Sequence, residues 1–172
     1  MAIAYGQITI VDISDLGQLS VYPTSNQPYS VIYDPNASSG NQYNPDWSKT
    51  NLQLTPVIYY GNQQVTPTNS IVKWYKDNST TAIESGVANG VLTVSSNALT
   101  PSGSKLVSYT VKVTYSPEGT GATLHAEGKI TFSLIEQPTT VKSINVTGSN
   151  LFLYNGNKVL QSPATITLKA NP

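Results

Sequence analysis

Ser70-Ile71-Val72-Lys73-Trp74-Tyr75-Lys76 alternates side-chain character around a tryptophan, and the run from Lys105 to Tyr115, with Val107, Tyr109, Val111 and Val113 at every second place, repeats that period over a longer stretch. Successive side chains of a strand point to opposite faces, so this alternation marks half-buried strands and not helices. Outward from these two segments, the same pattern in β-branched and aromatic residues predicts further strands over Gln7–Ile13, Gln18–Tyr22, Tyr29–Tyr33, Asn51–Tyr60, Gly90–Ser95, Thr123–Leu134, Val141–Thr147, Leu151–Tyr154 and Thr165–Ala170. Turn signals separate them at Tyr60-Gly61-Asn62, Asn89-Gly90, Pro101-Ser102-Gly103, Pro117-Glu118-Gly119 and Asn155-Gly156-Asn157. Helical periodicity is nearly absent, and the expected class is all-β.

One stretch, Asp34–Thr50, has no period and holds Pro35, Asn36, Gly40, Asn44, Pro45 and Asp46. It is expected to be a long loop with at most one helical turn at Pro45-Asp46-Trp47. A tryptophan in such a loop either staples it onto the sheet or anchors a partner, and the staple is favoured because an aromatic usually buries itself in its own domain. Trp47, with Tyr43 and Tyr33, is also the candidate interaction surface.

The chain has 172 residues, 38% hydrophobic and 10% charged, with nine Lys and Arg together against nine Asp and Glu. Disorder requires a larger net charge, so a globular chain of one domain and part of a second is expected. All nine basic residues are lysine: Lys49, Lys73, Lys76, Lys105, Lys112, Lys129, Lys142, Lys158 and Lys169. A neutral chain without the guanidinium fork is poorly suited to nucleic acid, and for the same lack of clustered cations to a membrane surface. The absence of cysteine rules out disulfides and thiolate metal sites. Met1-Ala2-Ile3-Ala4-Tyr5 has neither the charged start nor the apolar stretch of a signal peptide, and no run reaches the roughly 20 apolar residues of a membrane helix. A protein made in a cytoplasm and carried out by another route is expected, as the parts of a virus particle are.

The middle of the chain resembles an immunoglobulin-like domain. Leu52 and Leu54 fall on a B-like strand, Trp74 on a C-like strand and Ser108-Tyr109-Thr110-Val111 on an F-like strand. In that family a Trp packs on an inter-sheet disulfide, and a Tyr two places before the second Cys hydrogen-bonds back to the backbone at the tyrosine corner. The resemblance implies that Leu52, Leu54, Trp74, Tyr109 and Val111 form the core, with aliphatics in the disulfide positions. Another sandwich architecture is the alternative. Near Gln137-Pro138-Thr139 a second unit is expected to begin: Ser143–Tyr154 aligns with one gap on Val11–Tyr22, and Ile166-Thr167-Leu168 echoes Leu52-Gln53-Leu54. The expected organisation is residues 1–50 as N-terminal strands and long loop, part of or docked on the first sandwich, 51–137 as its body, and 138–172 as the start of a second, incomplete module.

Lys142-Ser143-Ile144-Asn145-Val146-Thr147-Gly148, Leu151-Phe152-Leu153-Tyr154 and Ala164–Ala170 are similar to the tandem immunoglobulin-like repeats in virion proteins of tailed bacteriophages of Gram-positive hosts, and Gly6-Gln7-Ile8-Thr9-Ile10, Tyr33-Asp34-Pro35-Asn36 and Pro45-Asp46-Trp47-Ser48 look like the N-terminal region of such proteins. The resemblance implies a non-catalytic structural protein of a tail, neck or head fibre, docked through its first fifty residues or so. It also implies a homo-oligomer with other virion proteins as partners, and host-surface polysaccharide or protein reached through later domains. A bacterial surface adhesin repeat and a carbohydrate-binding accessory module are the rival readings.

Reactive constellations are sparse. His125, the one histidine, shares a strand face with Glu127, but nothing beside them serves as nucleophile or orienting group. The carboxylates are scattered, and Asp12 with Asp15 does not make a calcium loop. No catalytic residue, metal or cofactor is expected. The eleven tyrosines are expected to line sheet edges unless an exposed set of them clusters.

Overall fold

Leu52, Leu54, Pro56 and Ile58 are buried on one side of β4 (Leu52–Tyr60), while Gln53 and Thr55 between them are exposed. Period-two sequence has thus become one dry and one wet face. The computed structural model describes residues 17–139, Asn157, and the backbone of residues 145–147, 153–154, 160–162 and 169–171. The strand expected over Gln7–Ile13 lies outside the described residues, as do 141–144, 151–152 and 165–168 of three later expected strands. The chain divides into two compact units, residues 1–137 and 138–172.

The first unit is all-β, with two five-stranded sheets sharing one hydrophobic core. One sheet runs β1 (Leu19–Ser25), β4, β8 (Val91–Val94), β7 (Val87–Ala88), and β5 (Gln63–Val65) pairs with β4 beyond the reach of β8. The other runs β3 (Tyr43–Asn44), β2 (Ser30–Tyr33), β10 (Leu124–Glu136), β9 (Leu106–Tyr115), β6 (Val72–Lys76). Every pairing is antiparallel except β2 on β10, where Ser30 to Tyr33 run parallel to Ser133 to Glu136. In the second unit β11 (Asn145–Thr147) pairs with β14 (Lys169–Asn171), and β12 (Leu153–Tyr154) with β13 (Leu160–Ser162).

The expected boundaries differ from the observed ones mainly where strands are short. β3, β5, β7 and β13 have two or three residues each and carry no readable period. The Asp34–Thr50 stretch is therefore not all loop: Asp34 N–H bonds the Gln42 carbonyl at 2.8 Å, and Tyr33 and Tyr43 are partners across a small hairpin. Residues 17–50 are likewise no appendage. β1 and β2 are built into different sheets, and Val21, Val31 and Trp47 belong to the core.

Between the sheets lies Trp74, fully buried, whose Cα partner is Val111 on β9. Its indole N–H donates to the Gly90 carbonyl at 2.8 Å. Gly90 closes the β7–β8 hairpin of the opposite sheet with Asn89, at φ 75° and 51°, the left-handed pair that a two-residue Asn-Gly turn needs. The turn is held in turn by Asn69, whose side-chain oxygen accepts from the Gly90 N–H at 2.7 Å. One side chain thus ties the two layers by both packing and a hydrogen bond.

Where β1 crosses β10 the backbones approach closely at Gly128. A Cβ there would lie 2.7 Å from Pro23 Cδ and 2.9 Å from the Val21 carbonyl oxygen. Gly128→Ala is therefore expected to destabilise the first unit by about 1 to 3 kcal/mol through overpacking. Urea unfolding of the variant at unchanged m-value measures this, and wild-type stability would show that the strands separate freely.

Candidate functional site

Leu52, Leu54, Trp74, Tyr109 and Val111 are all buried in the common core. Phe132, which the alternation on β10 did not single out, is its aromatic hub. Trp47 packs edge-on at 5.3 Å between centroids, Tyr29 at 5.8 Å and Tyr109 at 6.3 Å. Edge-to-face geometry sets the positive ring edge against the negative face.

Trp47 is 0% exposed, which removes it from the candidate interaction surface: the large apolar ring reaches Phe132 and the loop is fastened behind it. Its indole N–H is buried without an acceptor among the described residues, a cost of about 1 to 3 kcal/mol that the ring's packing must exceed. Tyr33 and Tyr43 stack edge-on at 5.1 Å and are half-buried against the core, so they too serve packing. Burial first, then Tyr33 and Asp46, raise the Tyr43 hydroxyl pKa above its ordinary value.

Asp46 holds this loop. Its Oδ1 accepts from the Ser48 hydroxyl at 2.6 Å, the Asn97 amide at 2.8 Å and the Ser48 N–H at 3.0 Å, and Lys49 lies 3.7 Å from Oδ2. Its carbonyl accepts from Lys49 and Thr50 N–H, closing a single turn, while Asn97 Oδ1 accepts from the Trp47 N–H at 2.8 Å. The Ser48 hydroxyl above all, then Asn97, the Ser48 N–H and Lys49, hold the carboxyl below the usual aspartate range against the opposing effect of burial. The unfolded value is about 3.9, so this contribution is complete above that pH and is lost as pH falls through the lower folded pKa. Asp46→Asn is expected to cost on the order of 1 to 2 kcal/mol at neutral pH. The gap to wild type should narrow on acidification; urea midpoints that keep a constant gap down to about pH 2 would contradict this.

Tyr109 is 2% exposed, and burial, followed by the Asp77 charge, pushes its hydroxyl up to about 12. The hydroxyl makes no hydrogen bond among the described residues, so the backbone bond of a tyrosine corner is not formed. A folded pKa above the unfolded value of about 10 adds stability that is intact below pH 10 and declines as pH rises toward 12. Tyr109→Phe should remove on the order of 2 to 3 kcal/mol of that alkaline decline, read as a flatter dependence of the urea midpoint on pH than in wild type.

Outside the core, the outer face of the second sheet carries most of the side chains able to do chemistry. Thr114 and His125 meet at 3.2 Å, Lys112 and Glu127 at 3.6 Å, and Ser108 and Thr131 at 2.9 Å. His125 and Glu127 thus have separate partners and form no acid–base pair with each other. The Lys112–Glu127 pair is more than half exposed and adds little to stability. Among the described residues no group of three or more His, Asp or Glu side chains is placed to hold a metal. Asp12 and Asp15 lie outside the described residues.

Next to these pairs is a cleft of about 400 Å³, floored by Thr110 and lined by Tyr75, Lys112, Glu127, Lys129 and the turn Asp77–Thr80. Sequence reasoning missed it. Tyr75 and Thr110 read as ordinary outward positions, and only the fold brings the turn after β6 over them.

The fold and these surfaces define an all-β, two-sheet sandwich. Comparison with known proteins gives no matching family model, no matching curated protein and no matching solved structure. No helix among the described residues is long and apolar enough to cross a membrane.

Proposed function

We propose that this chain is a non-catalytic, immunoglobulin-like structural module of a tailed-bacteriophage particle, assembled in the host cytoplasm and working outside it. The observation that carries the immunoglobulin-like part is strand order. Reading β1, β4, β6, β7, β8, β9 and β10 as A, B, C, D, E, F and G puts A-B-E-D in one sheet and C-F-G in the other, with β2 and β3 continuing beyond G and β5 beside B, an order that supports a likeness to that family. Trp74 then lies on strand C, where the family places its core tryptophan.

The virion part rests on the resemblance of segments after residue 138 to tandem repeats of phage structural proteins, and of segments between residues 6 and 48 to the N-terminal region of such proteins. The division of the chain into two successive β units is compatible with modules in series. In such a particle the module acts mechanically: buried area and strand pairing hold it, other virion proteins or further copies of the chain surround it, and later domains carry any contact with the host. Many copies would turn weak single contacts into firm attachment.

Deleting residues 1–50 would not isolate a docking element, because β1, β2 and Trp47 would leave the core with it. Removing residues 1–16 alone deletes no described residue of the first unit. Loss of the truncated protein from purified particles, with the soluble protein still folded, is the expected result. Immunogold labelling with antibody against the first unit should decorate particles at one fixed position. Label confined to the bacterial cell wall would reject the virion reading in favour of a surface adhesin repeat.

A further inference from the structure

Thr110 breaks the pattern of its own strand. The other outward residues around it, Lys112 and Thr114 on β9 and Glu127 and Lys129 on β10, are exposed, yet Thr110 keeps only 8% of its surface. It stands in a cross-strand row between Tyr75 on β6 and Lys129 on β10. The turn that follows β6 closes over one side of that row, with Asp77 at φ 51° and its Oδ1 accepting from the Ser108 N–H at 2.9 Å. The Thr110 hydroxyl makes no hydrogen bond with any described residue, and it is not sealed off, since it lines the floor of the cleft. A polar group so deeply placed is normally paired, and the cleft is the direction from which a partner can come.

We propose that this cleft binds a neutral saccharide unit. Its volume of about 400 Å³ lies in the range of small-ligand sites, roughly 300 to 1,000 Å³. Its charges cancel: Lys112 and Lys129 stand against Asp77 and Glu127. Lys112 is already occupied by Glu127 at 3.6 Å and by the Tyr75 ring at 5.1 Å, and Asp77 by Ser108. The four charges sum to zero, and Lys129 alone among them has neither an ion pair nor a hydrogen bond from its side chain among the described residues. What the cleft does offer is a mixture of donors and acceptors, the Thr110 and Thr80 hydroxyls and the Asn78 amide, beside the Tyr75 ring, over one face of which Lys112 stands. Sugar hydroxyls both donate and accept, and their C–H faces pack on aromatic rings, so a saccharide satisfies this mixture where a purely apolar or singly charged ligand does not. The inference is independent of the virion reading, since it concerns the first unit whatever particle or surface carries it.

The test is a two-dimensional amide NMR titration of the full chain with glucose, galactose, N-acetylglucosamine and their short oligomers at up to about 50 mM. Saturable shifts at Tyr75, Asn78, Thr110 and Lys129 amides are expected for at least one of these sugars. Thr110→Val keeps the β-branched shape and should raise the dissociation constant about tenfold; Tyr75→Ala should abolish the shifts. Tyr22→Ser, on the other sheet, should leave them unchanged. No shift with any sugar, undiminished binding by folded Thr110→Val, or inorganic phosphate displacing the sugar from the same amides would each overturn the proposal.

Discussion

Trp74 is the side chain on which the two sheets agree. Its ring fills the space between them, and its single donor reaches the Gly90 carbonyl on the far side at 2.8 Å. A buried indole must satisfy that N–H or forfeit part of what its burial contributes, on the order of 3 kcal/mol for an aromatic of this size. The acceptor exists only because Asn89 and Gly90 take up left-handed backbone at the β7–β8 turn. A hairpin in one sheet therefore positions the central side chain of the other, and the spacing between layers is fixed by a directional bond as well as by volume.

Trp47 makes the contrast. It is as deeply buried, yet its N–H finds no acceptor among the described residues, so packing on Phe132 and the Asp46 and Asn97 hydrogen bonds must hold the loop instead. The Asn97–Asp46 bond is charge-assisted, and both tie the loop to a segment about fifty residues away, whereas the Trp74 bond spans sixteen residues but crosses from one sheet to the other. The outer face of the second sheet carries mostly paired side chains, and the cleft over Thr110 is where the pairing is incomplete.

Much of the sandwich was legible from alternation alone. Val72-Lys73-Trp74 and Val107 to Val113 announce strands because a sheet with one wet face must alternate, and Leu52 and Leu54 declare which face is dry. The part of Trp47 was readable in outline, since a large ring in a polar loop has few places to go. Short strands such as β3 and β5 were not readable, because two or three residues hold no period and their pairing comes from neighbours already in place. Nor was the role of residues 17–50: local pattern says strand, but not that β1 and β2 enter different sheets.

Sequence by itself determined the all-β class, the inward residues of the long strands, the Asn89-Gly90 turn and the low and balanced charge. These are local properties, fixed by backbone preference and by side-chain alternation over a few residues. Tertiary structure alone decided the parallel seam of β2 on β10, the crossing at Gly128, the failure of Tyr109 to make a corner bond, and the burial of Thr110 beneath the turn after β6. Each of these depends on which distant backbone comes to lie beside a residue, and period two records the face a side chain takes without recording what is waiting there.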